Sequence, residues 1–291
     1  MNTASILNRF FSGAAAGREP SSDLGWDALR ASYAYDAGAP LTVTEELGYD
    51  PEYRLSRLRF RSGDGSGHTG LFLRPAAEGV YPCVLLLHAL SSDKDAMVRL
   101  FGRALAERGL ASLALDAHLH GERGGGPSEP LGPLEYVRLA RESILEYRHA
   151  LDYLGTRADV DAERTGLLGY SLGAMMGCIL AGVDERVRAS LFMVAGDMVR
   201  THLERIPPFL RRMADPISPV NFVPHISPRP VFFINGKWDA TVPTAAATLL
   251  HEAARDPKQV VWVEAGHILP PEAAAQGVDW LEKELRQAEP R

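Results

Sequence analysis

The chain has 291 residues, 46% of them apolar and 23% charged, with a formal net charge of -6. That length can bury one large core, and the balance is ordinary for a globular enzyme. Net negative charge without clustered Lys and Arg excludes a general binder of nucleic acid or anionic membranes, and no apolar run is long enough for a transmembrane helix.

Residues 1–40, rich in Ala, Gly and Ser with scattered aromatics, predict an N-terminal extension with one or two helices, Trp26 to Tyr35 among them. Met1 to Ala16 lacks a charged leader followed by a long apolar segment, so a short helix against the domain is expected rather than a signal peptide. From Tyr53 the chain alternates with period two up to Ser62; Asp64-Gly65-Ser66-Gly67 reads as a turn and Gly70 to Arg74 as a returning strand. Cys83 to Leu87 is a continuous apolar run, as a central strand buried on both faces requires. Helical spacing of Val98, Phe101 and Leu105 predicts a helix from Asp95 to Arg108, stopped by Gly109.

Ala111 to Leu115 is the next strand, followed by a long helix from Leu134 to Leu154. A strand at Thr165–Leu168 leads into a helix at Leu172–Ala181. Strands follow at Ala189–Val194 and Val231–Ile234, then a helix at Thr244–Ala254, a strand at Val260–Val263 and a helix at Pro271–Leu285. Strands and helices alternating in this way predict an α/β fold: a mostly parallel central sheet flanked by helices, within a domain spanning 41–291. Residues 197–228 hold six prolines and a short helical pattern from Val199 to Met213, and read as a small lid or cap inserted into that domain. Cys83 and Cys178 lie in apolar runs and read as small buried hydrophobes, which fits the reducing cytoplasm.

Gly169-Tyr170-Ser171-Leu172-Gly173 stands between a short apolar strand and an apolar helix. Acyl transfer needs a hydroxyl presented on a sharp strand-to-helix turn with little bulk on either side, and the two glycines permit that. The strand ending at Ile234 delivers Asp239 into a loop, where open α/β sheets place their sites; the other reading is an Asp that makes a turn or caps the next helix. Asp197 and Asp215 compete for the role of acid but follow no clear strand. His267 follows the strand Val260–Val263 in a glycine-permitted loop, where a base can reach a nucleophile. The order Ser171, Asp239, His267 is the one that nucleophile-elbow hydrolases use. No zinc-type His or Cys spacing appears, and Gly124-Gly125-Gly126 lacks the Lys and following helix of a phosphate cradle, so no metal and no cofactor are expected.

Residues from about 54 to 286 resemble the α/β-hydrolase superfamily, in its dienelactone-hydrolase-like and acetyl-esterase-like branch. The resemblance is carried by Leu87-His88-Ala89-Leu90-Ser91-Ser92, Asp116-Ala117-His118-Leu119-His120-Gly121-Glu122-Arg123, Gly169 to Gly173, Gly236 to Pro243 and Gly266-His267. It implies an oxyanion hole made of the Leu90 and Leu172 backbone N–H groups, with Ala89 where the family generally has Gly, and a bracing role for His88. The segment 116–123 becomes scaffold or pocket wall. The expected reaction is hydrolysis of a small carboxylic ester through an acyl-enzyme on Ser171. A thioesterase, a peptidase or a carbon–carbon bond hydrolase would use the same triad, and a non-catalytic binding protein is a third class. Met198, Leu203, Ile206, Phe209 and Met213 either line an acyl pocket or form the packed side of a cap helix. A homodimer is left open.

Overall fold

A computed structural model describes residues 24–38, 41–50, 52–62, 67–124, 131–201 and 211–287. The expected helix near Met1, the tip of the turn at Asp64–Ser66, Gly125 and Gly126, and the cap residues Leu203, Ile206 and Phe209 lie outside these. The elements in chain order are α1 (Trp26–Ala31), β1 (Leu41–Leu47), β2 (Tyr53–Ser62), β3 (Gly67–Pro75) and β4 (Tyr81–Leu87). Then come α2 (Lys94–Met97), a π-helical turn (Val98–Gly102), α3 (Arg103–Glu107), β5 (Ala111–Leu115), α4 (Pro133–Leu154) and β6 (Val160–Tyr170). The chain continues with α5 (Leu172–Val183), β7 (Val187–Met193), α6 (Met198–Thr201), α7 (Arg211–Ala214), β8 (Val231–Gly236), α8 (Thr244–Ala253), β9 (Lys258–Val263) and α9 (Pro271–Gln287).

The strands form one sheet in the order β1-β2-β3-β5-β4-β6-β7-β8-β9. β1, β2 and β3 are antiparallel hairpins joined antiparallel to β5; from β5 through β9 every pairing is parallel. Alternate residues of the central strands feed two cores. Leu85, Leu87, Leu113, Leu115 and Leu167 pack under α4, α5 and the end of α8. Val84, Leu86, Ala114 and Leu168 pack under the helical run 97–106 and α9. This is the α/β sheet expected from the alternation, helices covering both faces.

Three details differ from the sequence reading. β1 carries no strand signal in the sequence, because its Thr and Glu side chains leave most of this edge strand exposed and no clean apolar alternation marks it. β6 begins at Val160 rather than Thr165, its first half being polar and separated by a register shift opposite Pro82 and Cys83. Residues 215–226 are short 3₁₀ turns with Ile217, Val220, Phe222, Val223 and Ile226 buried; Phe222, Val223 and Ile226 join the main core, while Ile217 packs in a small cluster with Ala140, Val199 and Ala214. The N-terminal segment packs on these turns. Trp26 stacks on His225, the ring centroids 3.5 Å apart, and the buried Tyr33 donates its hydroxyl proton to the Pro216 carbonyl at 2.5 Å. Among the described residues no helix is long and apolar enough to cross a membrane.

Candidate active site

The C-terminal ends of the parallel strands share one edge of the sheet, and that edge carries the backbone strain. Among the described residues the non-glycine residues with positive φ are Ser91, Leu119, Ser171 and Val194, which follow β4, β5, β6 and β7. Side chains pay to sit there, so such positions collect where a turn must aim a group. Ser171 has φ 54° and ψ -114° between β6 and α5, its N–H donating to the Met193 carbonyl of the neighbouring strand at 2.9 Å. The flanking glycines are obligatory. A Cβ on Gly169 would lie 2.5 Å from the Gly173 carbonyl oxygen, and one on Gly173 only 2.1 Å from the Leu87 carbonyl oxygen. Close approach of α5 to β6 and to the end of β4 is therefore what these glycines permit.

Ser171 is buried, and its Oγ lies 2.9 Å from Nε2 of His267. Nδ1 of His267 lies 2.8 Å from Oδ2 of Asp239, whose side chain is fully buried. An ionised carboxylate only accepts, so Nδ1 carries the imidazole proton and Nε2 is left to accept from the Ser171 hydroxyl. The other carboxylate oxygen, Oδ1, accepts from the N–H groups of Thr241 and Val242 at 2.8 and 2.9 Å, which fixes the orientation of the acid. The three residues chosen from sequence thus form one hydrogen-bonded chain drawn from the ends of three strands. The competing acids are employed elsewhere. Asp197 accepts from Arg200 N, Val220 N and Ser218 Oγ, and Asp215 pairs with Arg200 at 2.8 Å.

The contact between Gly173 and the end of β4 brings the 88–92 turn beside the first turn of α5. Among the described residues neither the Leu90 nor the Leu172 N–H has a protein acceptor. Two mechanisms hold the turn. His88 Nε2 accepts from the Ala117 N–H at 2.8 Å, so its Nδ1 carries the proton and donates to the Ala89 carbonyl, also at 2.8 Å. Desolvation pushes the pKa of this imidazole down to about 4, which keeps it neutral.

The second brace has no sequence signature. Asp116, at the end of β5, accepts from the backbone N–H of Lys94 at 3.0 Å and from its ammonium at 2.9 Å. Both side chains are buried, at 2% and 1% exposure, and Glu122 and Asp95 also face the ammonium. Desolvation opposes both charges, but the pairing outweighs it: the Lys94 pKa is raised and that of Asp116 lowered. Lys94 reads as a surface residue at a helix start, and only the fold buries it. Met175, Met198, Val242 and Ala246 form a small buried apolar cluster, so Met198 is a packed residue. Met213 is 40% exposed. Among the described residues no group of three or more His, Cys, Asp or Glu could hold a metal ion.

A family model described as esterase FrsA-like matches residues 42–211, more than half of the chain. The chain belongs to the FrsA-like esterase family. Membership puts it among ester-hydrolysing α/β hydrolases; the matched span includes Leu90, Ser171 and Leu172, while Asp239 and His267 lie beyond it. As an FrsA-like esterase it is 27% identical over 228 residues to the protein YfhR of Salmonella typhimurium, covering 72% of this chain and 73% of that one. It is 31% identical over 141 residues to the esterase FrsA of Enterobacter sp. strain 638, covering 48% of this chain and 31% of that longer protein. The acetyl xylan esterase from Paenibacillus sp. R4 superposes with a TM-score of 0.70 at 21% identity, over 96% of this chain and 99% of that one. Acetyl xylan esterase 1 from Thermoanaerobacterium sp. JW/SL YS485 also gives 0.70, at 16% identity, over 97% and 99%. At those identities the likeness establishes the α/β-hydrolase fold.

Proposed function

We propose that this esterase is a serine hydrolase that cleaves small carboxylic esters through an acyl-enzyme on Ser171. The observation that carries the reading is the unbroken chain from Ser171 Oγ to His267 to Asp239, at 2.9 and 2.8 Å. His267 Nε2 takes the hydroxyl proton as Oγ attacks the ester carbonyl, and Asp239 holds the tautomer and stabilises the imidazolium. The Leu172 and Leu90 amides stabilise the oxyanion, each worth about 3 kcal/mol in comparable sites. Collapse of the tetrahedral intermediate expels the alcohol, protonated by His267. Water activated by the same imidazole then releases the carboxylic acid. The cycle uses protein groups and water alone. The two unpaired, buried cysteines fit the reducing cytoplasm, where we place the enzyme.

Thioesters and amides are open to the same triad, so relative rates on p-nitrophenyl acetate, p-nitrophenyl butyrate, a thioester and an aminoacyl amide rank the bonds it accepts. Ser171→Ala is expected to abolish turnover of p-nitrophenyl acetate while the circular dichroism spectrum and melting temperature stay those of the parent. A parental rate in that variant refutes the proposal.

A further inference from the structure

The geometry points to Tyr170 as a positioning residue for His267: its hydroxyl clamps the backbone on both sides of the imidazole and ties it to the strand bearing Ser171. This inference rests on the reading of Ser171 and His267 as nucleophile and base.

Tyr170 is the last residue of β6, immediately before the strained turn at Ser171. Its hydroxyl donates to the His267 carbonyl at 2.8 Å and accepts from the Leu269 N–H at 3.1 Å. Its ring stands edge-on to the imidazole, with centroids 6.3 Å apart and an interplanar angle of 84°. Burial raises the phenol pKa above its ordinary value, so the group remains a donor across the neutral range.

Leu269 is buried in the core, but the loop after β9 has few other polar ties at this point. Upstream, Trp238 N–H donates to the Ala265 carbonyl at 2.9 Å and Ala265 N–H to Val263 at 2.8 Å. Among the described residues no backbone–backbone hydrogen bond reaches residues 266–269. The Ile268 side chain is 85% exposed and so packs weakly. Pro270 and Pro271 follow, and neither has an N–H to offer. The imidazole ring has its own bond to Asp239, but a ring held only there can pivot about that bond. The tyrosine fixes the peptide units on each side, and with them the distance from Nε2 to Oγ. Because it is the chain neighbour of Ser171, nucleophile and base share one rigid mount. Proton transfer depends steeply on such placement, a displacement of the order of 1 Å costing about 100-fold.

Tyr170→Phe tests this, since it removes one oxygen and keeps the ring. The expected result is a kcat for p-nitrophenyl acetate lowered about 10- to 100-fold with KM within about twofold of the parent. Labelling by a fluorophosphonate probe, which needs nucleophile and base but no bound alcohol, slows by a similar factor. The far-downfield proton resonance of the His267 Nδ1–H shared with Asp239 broadens or disappears. A parental kcat and an intact resonance in Tyr170→Phe, beside an inert Ser171→Ala, overturn this role and leave the triad standing. So does a lowered melting temperature with parental kcat in the folded fraction. An active Ser171→Ala overturns the triad and this inference together.

Discussion

Ser171 and His267 are ordinary residues made unusual by where the backbone puts them. A serine at φ 54° is strained, and the chain tolerates it because Gly169 and Gly173 let β4, β6 and α5 close around it. His267 keeps a side chain 20% exposed, while several other histidines are buried, and there desolvation outweighs any neighbouring carboxylate, even for His68 at 3.8 Å from Glu146. Desolvation depresses the pKa of His88 and His251 to about 4 and that of His68 to about 3, against 6.5 for the free imidazole. A depressed folded-state value means that protons bind the unfolded chain first. The stability these neutral rings supply is complete above about pH 6.5 and is lost as pH falls from there toward pH 4. Each pH unit between folded and unfolded values is worth about 1.4 kcal/mol, large beside a net stability of about 5–15 kcal/mol. The melting temperature is therefore expected to fall steadily from pH 6.5 to pH 4. His251→Gln, which cannot charge, should flatten part of that slope; equal slopes in parent and variant would contradict the assignment. In the sequence His267 stands out from His68 and His251 by its position after a strand in a glycine-permitted loop, whereas the burial of those two depends on partners far along the chain.

At the scale of elements, the site is assembled from turns at strand ends, each fixed by a different neighbour. The turn after β4, bearing Leu90, is held to the turn after β5 through Asp116. Removing the carboxylate charge leaves the Lys94 ammonium buried beside only Asp95 and Glu122, which are far more exposed. Breaking a buried pair on one side costs about 3–5 kcal/mol. Asp116→Asn is expected to lower unfolding free energy in urea by that amount, and a loss under about 1 kcal/mol would show the pair to be dispensable. The sequence marks 116–123 as scaffold or pocket wall, but nothing in it pairs Asp116 with Lys94, 22 residues earlier. Proline-rich, helix-interrupted stretches such as 197–228 look alike in sequence whether they cover a pocket or pack inward; in the second half of this one Phe222 packs beside Gly182.

Across the whole molecule, the alternation of apolar strands and amphipathic helices was enough to anticipate the parallel sheet. The strands that escaped or were cut short, β1 and the start of β6, are those whose polar side chains carry no burial pattern. The proposed triad is legible in sequence for a topological reason: in a sheet wound this way, residues just past successive strands meet at one edge however far apart they lie in sequence. Ser171 and His267 are 96 residues apart in sequence, yet their Oγ and Nε2 atoms lie 2.9 Å apart. The most direct test of the central claim is peptide mapping by mass spectrometry of the full-length protein after reaction with a fluorophosphonate. The account predicts one adduct per chain, on Ser171, and its near absence in His267→Ala. An adduct on another residue, or undiminished labelling without the imidazole, would contradict it.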